Sequence, residues 1–282
     1  MNETSPPKLI LPSHMKKALL RLELLTDKTD IVFEITDARA PLISRSPTIE
    51  KILKNTPVIR ILAKADLASP AATRSWLSAF CNAGVPAEVF TSTGMPSPEK
   101  FLKKIQHLQR DFPYNQKRLL RGLVVGIPNT GKSTFINYLL SRRSAPVSAR
   151  PGATRSFQLL NIAPNFYLYD TPGILPPRCE IIEQRHILAL IGALQESFFN
   201  PEETARYLYS RLLEDAPDEL AQRYLAAGAS LPESFDAFVE TAAVKRKFIK
   251  KGGLADTDRL CRAMVNDFTK GKICKITLEN PH

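Results

Sequence analysis

The stretch "GLVVGIPNTGKSTFINYLL" restricts this chain more than any other. "GIPNTGKS" (126–133) satisfies G-x-x-x-x-G-K-[ST] between an apolar run that reads as a strand and a segment with helical spacing. In that setting Gly126 and Gly131 let the backbone turn tightly enough for several N–H groups to converge on a phosphate. The helix beginning near Lys132 adds the partial positive charge of its N-terminus. Lys132 is placed to reach β- and γ-phosphates, and the Ser133 hydroxyl to ligate Mg²⁺. The loop therefore predicts an α/β chain that binds a nucleotide.

A second motif supplies the other half of such a site. "YLYDTPG" (167–173) ends an apolar strand in Asp170, a candidate Mg²⁺ partner, and in Gly173, whose N–H can bond a γ-phosphate and sense its presence. Between the motifs, "ARPGATRS" (149–156) carries Thr154, a hydroxyl able to complete the metal shell and act in catalysis.

Strand and helix patterns alternate along the first 175 or so residues. Helical spacing covers 14–25, 47–54, 70–83 and 98–110; strand-like runs cover 30–39, 57–64, 87–92 and 119–127. Strands separated by helices imply β-α-β units and a mostly parallel sheet with helices on both faces. "FQLLNIA" and "FYLYD", joined by "PN", predict a hairpin at one edge. Residues 180–270 read as successive helices. One is signalled by Asn200 as cap with Pro201 behind it, and another by "APDELAQRYLAAG", ending at Gly228. The predicted division is an extension at 1–13, an α/β domain at 14–177 and an all-α domain at 178–282.

"ILAKADLA" (61–68) ends the second strand with Lys64 and Asp66 at the sheet edge where open α/β folds bind ligands. Asp66 can accept from N1–H and the N2 amino group of guanine, which adenine does not offer, and this disfavours an ATPase. The Lys64 stem can lie along the ring. "FTSTG" (90–94) ends the next strand, where the backbone of Ser92 and Thr93 can meet the guanine O6.

The order K-x-D, S-T, phosphate loop, Thr loop, D-x-x-G resembles a circularly permuted GTPase, and specifically the YlqF/RbgA family of ribosome-assembly GTPases. The resemblance covers nearly the whole chain. It rests on "LPSHMKKA", "DARAPLISRSP", "GIPNTGKSTFIN", "DTPGIL" and "GGLADTDRLCRAMVNDFTKGKICKITLENP". It implies a GTP-hydrolysing domain followed by a helical RNA-binding domain, acting in maturation of the large ribosomal subunit in the cytoplasm. The implied GTP-binding set is Ala63, Lys64, Ala65, Asp66, Ser92, Thr93, Asn129, Thr130, Gly131, Lys132, Ser133, Thr134 and Gly173. Mg²⁺ falls to Ser133, Thr154 and Asp170. Asn129 matches a residue associated with K⁺-assisted hydrolysis. The family lacks the glutamine that orients water in Ras-like enzymes; Ile174 follows Gly173 here, and His14 occupies the position of a proposed substitute. Catalysis is thus assigned to His14, Lys132 and Thr154.

Two departures stand out. The Asn of N-K-x-D is Ala63, and the Gly of P-G-H-M is Ser13. Loss of the bonds an Asn would make costs on the order of 1–3 kcal/mol. Ala63 is the feature that favours the alternative, a nucleotide-gated RNA-binding factor with little turnover.

Charge points to the partner. Lys and Arg total 39 against 28 Asp and Glu, a formal +11, which favours a polyanion. The bases cluster late, at Lys245, Arg246, Lys247, Lys250, Lys251, Arg259, Arg262, Lys270 and Lys272. An rRNA held mainly through phosphates is expected, with no DNA and no membrane, and a monomer off the ribosome. Cys81, Cys179, Cys261 and Cys274 form no C-x-x-C pair, so neither zinc nor a disulfide framework is expected. Because residue 173 runs into the helical half, ordering of 170–178 is expected to reorient the basic face.

Overall fold

The computed structural model describes residues 13–53, 56–108, 119–140, 157–174 and 181–281. Six strands form one sheet: β1 (Ile31–Asp37), β2 (Val58–Ala63), β3 (Ala87–Phe90), β4 (Leu120–Val125), β5 (Gln158–Ala163) and β6 (Phe166–Asp170). Their order is β3-β2-β1-β4-β6-β5. All pairings are parallel except β5–β6, the predicted edge hairpin. Its turn places Asn165 at φ 59°, a left-handed conformation that Asn tolerates.

The apolar runs are strands because they are covered on both faces. On one face Phe33, Phe90, Phe101 and Phe135 pack ring against ring beneath α4 (Pro98–Leu108) and α5 (Lys132–Leu139). On the other, Val32, Leu123 and Val125 meet Leu22 of α1 (Ser13–Thr26) and Ile49 of α2 (Pro47–Leu53). Helix α3 (Pro70–Asn82) starts where the Ser69 hydroxyl accepts from the Ala72 N–H, and covers β2 and β3 with Trp76 and Phe80.

Among the described residues from 181 onward the main elements are helices: α6 (Ile182–Leu190), α7 (Pro201–Asp215), α8 (Pro217–Tyr224), α9 (Phe235–Lys245) and α10 (Thr257–Thr269). Asn200 caps α7 as predicted, its side-chain oxygen accepting from Glu202 and Glu203, a cap worth about 1 kcal/mol. Helix α8 ends at Tyr224, four residues before the Gly228 predicted to stop it. Leu225 turns extended (φ −111°, ψ 168°) and is buried, so the chain leaves the helix to seat that side chain in the core.

The helical half meets the sheet half at more places than the segment after Gly173. The helical core takes in Ala40 and Ile127 from the sheet half. The segment after α10 also straps back across it. Leu278 N–H donates to the Arg39 carbonyl at 2.7 Å, and the Glu279 carboxylate accepts from the Leu42 and Ile43 N–H groups at 2.8 Å each. Trp76 Nε1 donates to the Glu279 carbonyl at 3.1 Å. With backbone bonds this far from 170–178, a swing of the whole helical half would have to break several of them together.

Candidate functional site

The phosphate loop runs from the end of β4 into α5, with Gly131 in the left-handed region (φ 104°) as the N-cap. Thr130 Oγ1 donates to the Ile127 carbonyl at 3.0 Å and stiffens the loop. Lys132 Nζ donates to the same carbonyl at 2.8 Å, so the ammonium lies folded over its own loop. Burial pushes the Lys132 ammonium down to about 8, against the opposing pull of Asp170. A lysine so placed meets a phosphate by exchanging one carbonyl oxygen for several charged ones, which favours the protonated form.

Asp170 is the last residue of β6, paired in register with Val124 and 8% exposed. Thr171 Oγ1 donates to the Val124 carbonyl at 2.7 Å, which pins the start of the turn. Gly173 lies hard against the loop: a Cβ there would stand 2.8 Å from both N and Cα of Pro128. Ile174 is buried and its N–H faces the Gly126 carbonyl at 3.4 Å. The two predicted phosphate motifs are therefore in contact. Thr154 lies outside the described residues; His14 falls in the first turn of α1, its side chain outside them also.

The base-side residues follow β2. Lys64 leaves the strand in a left-handed conformation (φ 56°), and Ala65–Leu67 make one 3-10 turn that carries Asp66. Ala63 is buried beside the loop; a Cβ on Gly131 would lie 3.4 Å from its Cβ. Ser92 and Thr93 follow β3, adjacent to β2 in the sheet.

The ammonium of Lys64 is held by two partners. Its Nζ lies 2.9 Å from Asp37 Oδ2 and 3.5 Å from the Ile191 carbonyl. Asp37 and Arg39 are fully buried, and Arg39 donates to both Asp37 oxygens through Nε and Nη2 at 2.9 Å. Burial opposes ionisation of Asp37, but Arg39 and Lys64 outweigh it and hold the carboxyl well below the usual carboxylate range. Asn129 (φ 61°) also points out of the sheet half, its Nδ2 donating to the Gly192 carbonyl at 2.7 Å. In the sequence Asp37 and Arg39 stand out only as part of "DARAPLISRSP". A pair of charges closing an apolar strand was the available signal. Ile191 and Gly192 contribute backbone carbonyls, for which side-chain identity carries no signal.

The basic residues divide. Lys245, Lys247, Lys250, Lys251, Arg259, Arg262, Lys270 and Lys272 are exposed. Arg246 is turned inward, donating to the buried Asp267 at 3.0 Å with its guanidinium over Tyr224. Arg262 is shared between Glu196 and Asp258. Arg246 is thereby removed from the predicted face, and the charge of Arg262 is offset locally.

The family model described as "50S ribosome-binding GTPase" matches residues 121–206, the span holding both phosphate motifs. "Ribosome biogenesis GTPase A" of Bacillus pumilus is 34% identical over 276 residues, 96% of this chain and 97% of that one. The protein of the same name from Thermotoga maritima is 32% identical over 270 residues, covering 96% and 93%.

The chain belongs to the ribosome biogenesis GTPase A family.

A solved structure of GNP-bound YlqF from Thermotoga maritima superposes with a TM-score of 0.67 at 27% identity, covering 94% of this chain and 99% of that one. The fold of the ribosome biogenesis GTPase A family thus extends through the sheet and the helical half alike. The permuted motif order in this member is that of the family, and its activity is GTP hydrolysis. Among the described residues, no helix is long and apolar enough to cross a membrane.

Proposed function

We propose that this chain is a GTP-hydrolysing switch in assembly of the large ribosomal subunit, with its helical half (178–282) on rRNA and its catalytic half at 14–177. The observation that carries this is the seat of Gly173 on Pro128, which leaves no space for even a methyl group between the D-T-P-G turn and the phosphate loop. Phosphate arriving on the loop is then felt by the segment that leads into α6.

In this scheme the loop amides of Asn129 to Thr134 and the ammonium of Lys132 hold the phosphates. Ser133, Thr154 and Asp170 are hard oxygen donors suited to Mg²⁺, and the buried position of Asp170 beside Lys132 agrees with that assignment. Bound Mg²⁺ offsets charge on the phosphates. Asn129, by donating through Nδ2, keeps its amide oxygen for a K⁺ ion. Lys64, Asp66 and the backbone of Ala63, Ala65, Ser92 and Thr93 read guanine. Ile174 has no group with which to orient water, and His14 takes that role. The exposed lysines and arginines between 245 and 272, without Arg246, hold RNA through phosphates rather than bases.

The test is GTP hydrolysis measured with and without large-subunit particles, in potassium and in sodium. Turnover is expected to rise with particles and to be higher in potassium. Equal, negligible turnover in all four conditions refutes the scheme.

A further inference from the structure

An Ala at 63 gives the phosphate loop no side-chain hydrogen bond from β2. Lys64 is nevertheless held from two sides. From the neighbouring strand comes Asp37, register partner of Ala63, with Oδ2 at 2.9 Å from Nζ. From the helical half comes the Ile191 carbonyl at 3.5 Å.

Both supports lead back to α10. Arg39 occupies Asp37 with its backbone N–H, Nε and Nη2, while Nη1 donates to the carbonyls of Phe268 (3.0 Å) and Thr269 (3.2 Å) at the end of α10. The guanidinium thus meets the negative end of that helix as well as a carboxylate. Thr269 Oγ1 donates to the Leu190 carbonyl at 2.8 Å, tying α10 to the turn that presents Ile191.

We propose that Asp37 is a positioning residue for guanine nucleotide binding. By fixing the Lys64 ammonium from the adjacent strand, it sets the lysine stem at the base site, so that nucleotide affinity depends on Arg39 and on the docking of α10. This rests on the assignment of guanine to Lys64 and Asp66. The charged network does the bracing that a side-chain amide at 63 would otherwise share. It also makes the helical half a part of the nucleotide site rather than a passenger behind it.

The experiment is equilibrium titration of a fluorescent N-methylanthraniloyl GDP into the full chain. Four proteins are compared: wild type, Asp37→Asn, Lys64→Met and the double variant. Asp37→Asn is expected to weaken binding about tenfold when Lys64 is present and less than about twofold in the Lys64→Met background. An equal loss in both backgrounds, or none in either, overturns the proposal, since Asp37 then does not act through Lys64. Should Asp37→Asn fail to fold, judged by Trp76 fluorescence, Thr269→Val carries the test. It keeps the volume and loses the bond to Leu190, with about a threefold loss expected only where Lys64 is present. A wild-type chain that binds neither GDP nor GTP defeats the guanine assignment itself, and this inference with it.

Discussion

Asn129 of the phosphate loop donates its side-chain Nδ2 to the carbonyl of Gly192, 2.7 Å away in the helical half. The carbonyl partner fixes which end of the amide faces it, because two acceptor oxygens at that distance would repel. Asn129→Asp replaces the donor with an acceptor. It is expected to lower stability of the nucleotide-free protein by about 1–2 kcal/mol, read as a lower urea midpoint with unchanged slope.

Lys132 gives a pH signature. In the free protein its ammonium titrates near 8, below the ordinary lysine value of 10.5, and bound phosphates raise it again. Below pH 8 the lysine is already charged and binding takes up almost no proton. Above it, the free protein must acquire one, so affinity for GDP falls by up to about tenfold per pH unit. Calorimetry in buffers of different ionisation enthalpy should find uptake near zero at about pH 6.5 and approaching one proton at about pH 9. Uptake that does not change with pH would contradict this.

Ala63→Asn places an amide within van der Waals reach of Gly131, at the position where the family pattern has Asn. One recovered hydrogen bond is expected to tighten GDP binding by about three- to tenfold. Titration with labelled GDP checks it, and an unchanged or weaker affinity would mean that the pocket has repacked around alanine.

Gly173→Ala forces a methyl group against the Pro128 backbone at 2.8 Å. Neither side can yield as a flexible side chain would. GTP hydrolysis is expected to drop at least about tenfold while GDP affinity changes far less, because in the proposed scheme the turn meets the γ-phosphate rather than the base. Parallel losses for both nucleotides would place the damage in the loop as a whole.

Asp267 ties three helices together, accepting at Oδ2 from Arg223, Tyr224 and Arg246. Burial opposes its ionisation, but the two arginines outweigh burial and keep the carboxyl below its ordinary value of 3.8. Such a group stabilises the fold above its unfolded pKa and ceases to do so as pH falls through the lower folded value. Asp267→Asn should therefore cost about 2–3 kcal/mol at neutral pH, with the difference from wild type shrinking below about pH 4. Urea midpoints at the two pH values measure it.

Periodicity was enough to find the sheet, because β1, β2 and β4 are mostly apolar and buried on both faces and α3 starts at the Ser69 cap; the Asn200 cap marks α7 of the helical half in the same way. The phosphate motifs were readable because their glycines answer to local geometry. The grip on Asn129 was not, since it is made by the Gly192 carbonyl 63 residues away, and that on Lys64 joins Asp37 to the Ile191 carbonyl, 127 residues away. Nor could composition separate Arg246, turned onto Asp267, from the exposed Lys245 and Lys247 beside it. Charge in a sequence does not say which way a side chain faces.

The strap has a consequence in time. Leu42 and the Glu279 that receives its N–H are 237 residues apart. A chain synthesised at about 5–20 residues per second leaves Leu42 waiting roughly 10–50 seconds for that closure. For most of that wait Arg39 has its carboxylate but not the α10 carbonyls of Phe268 and Thr269, which are made only about ten residues before Glu279. An enzyme that helps build ribosomes thus has a sheet half whose last hydrogen bonds wait on the making of its helical half.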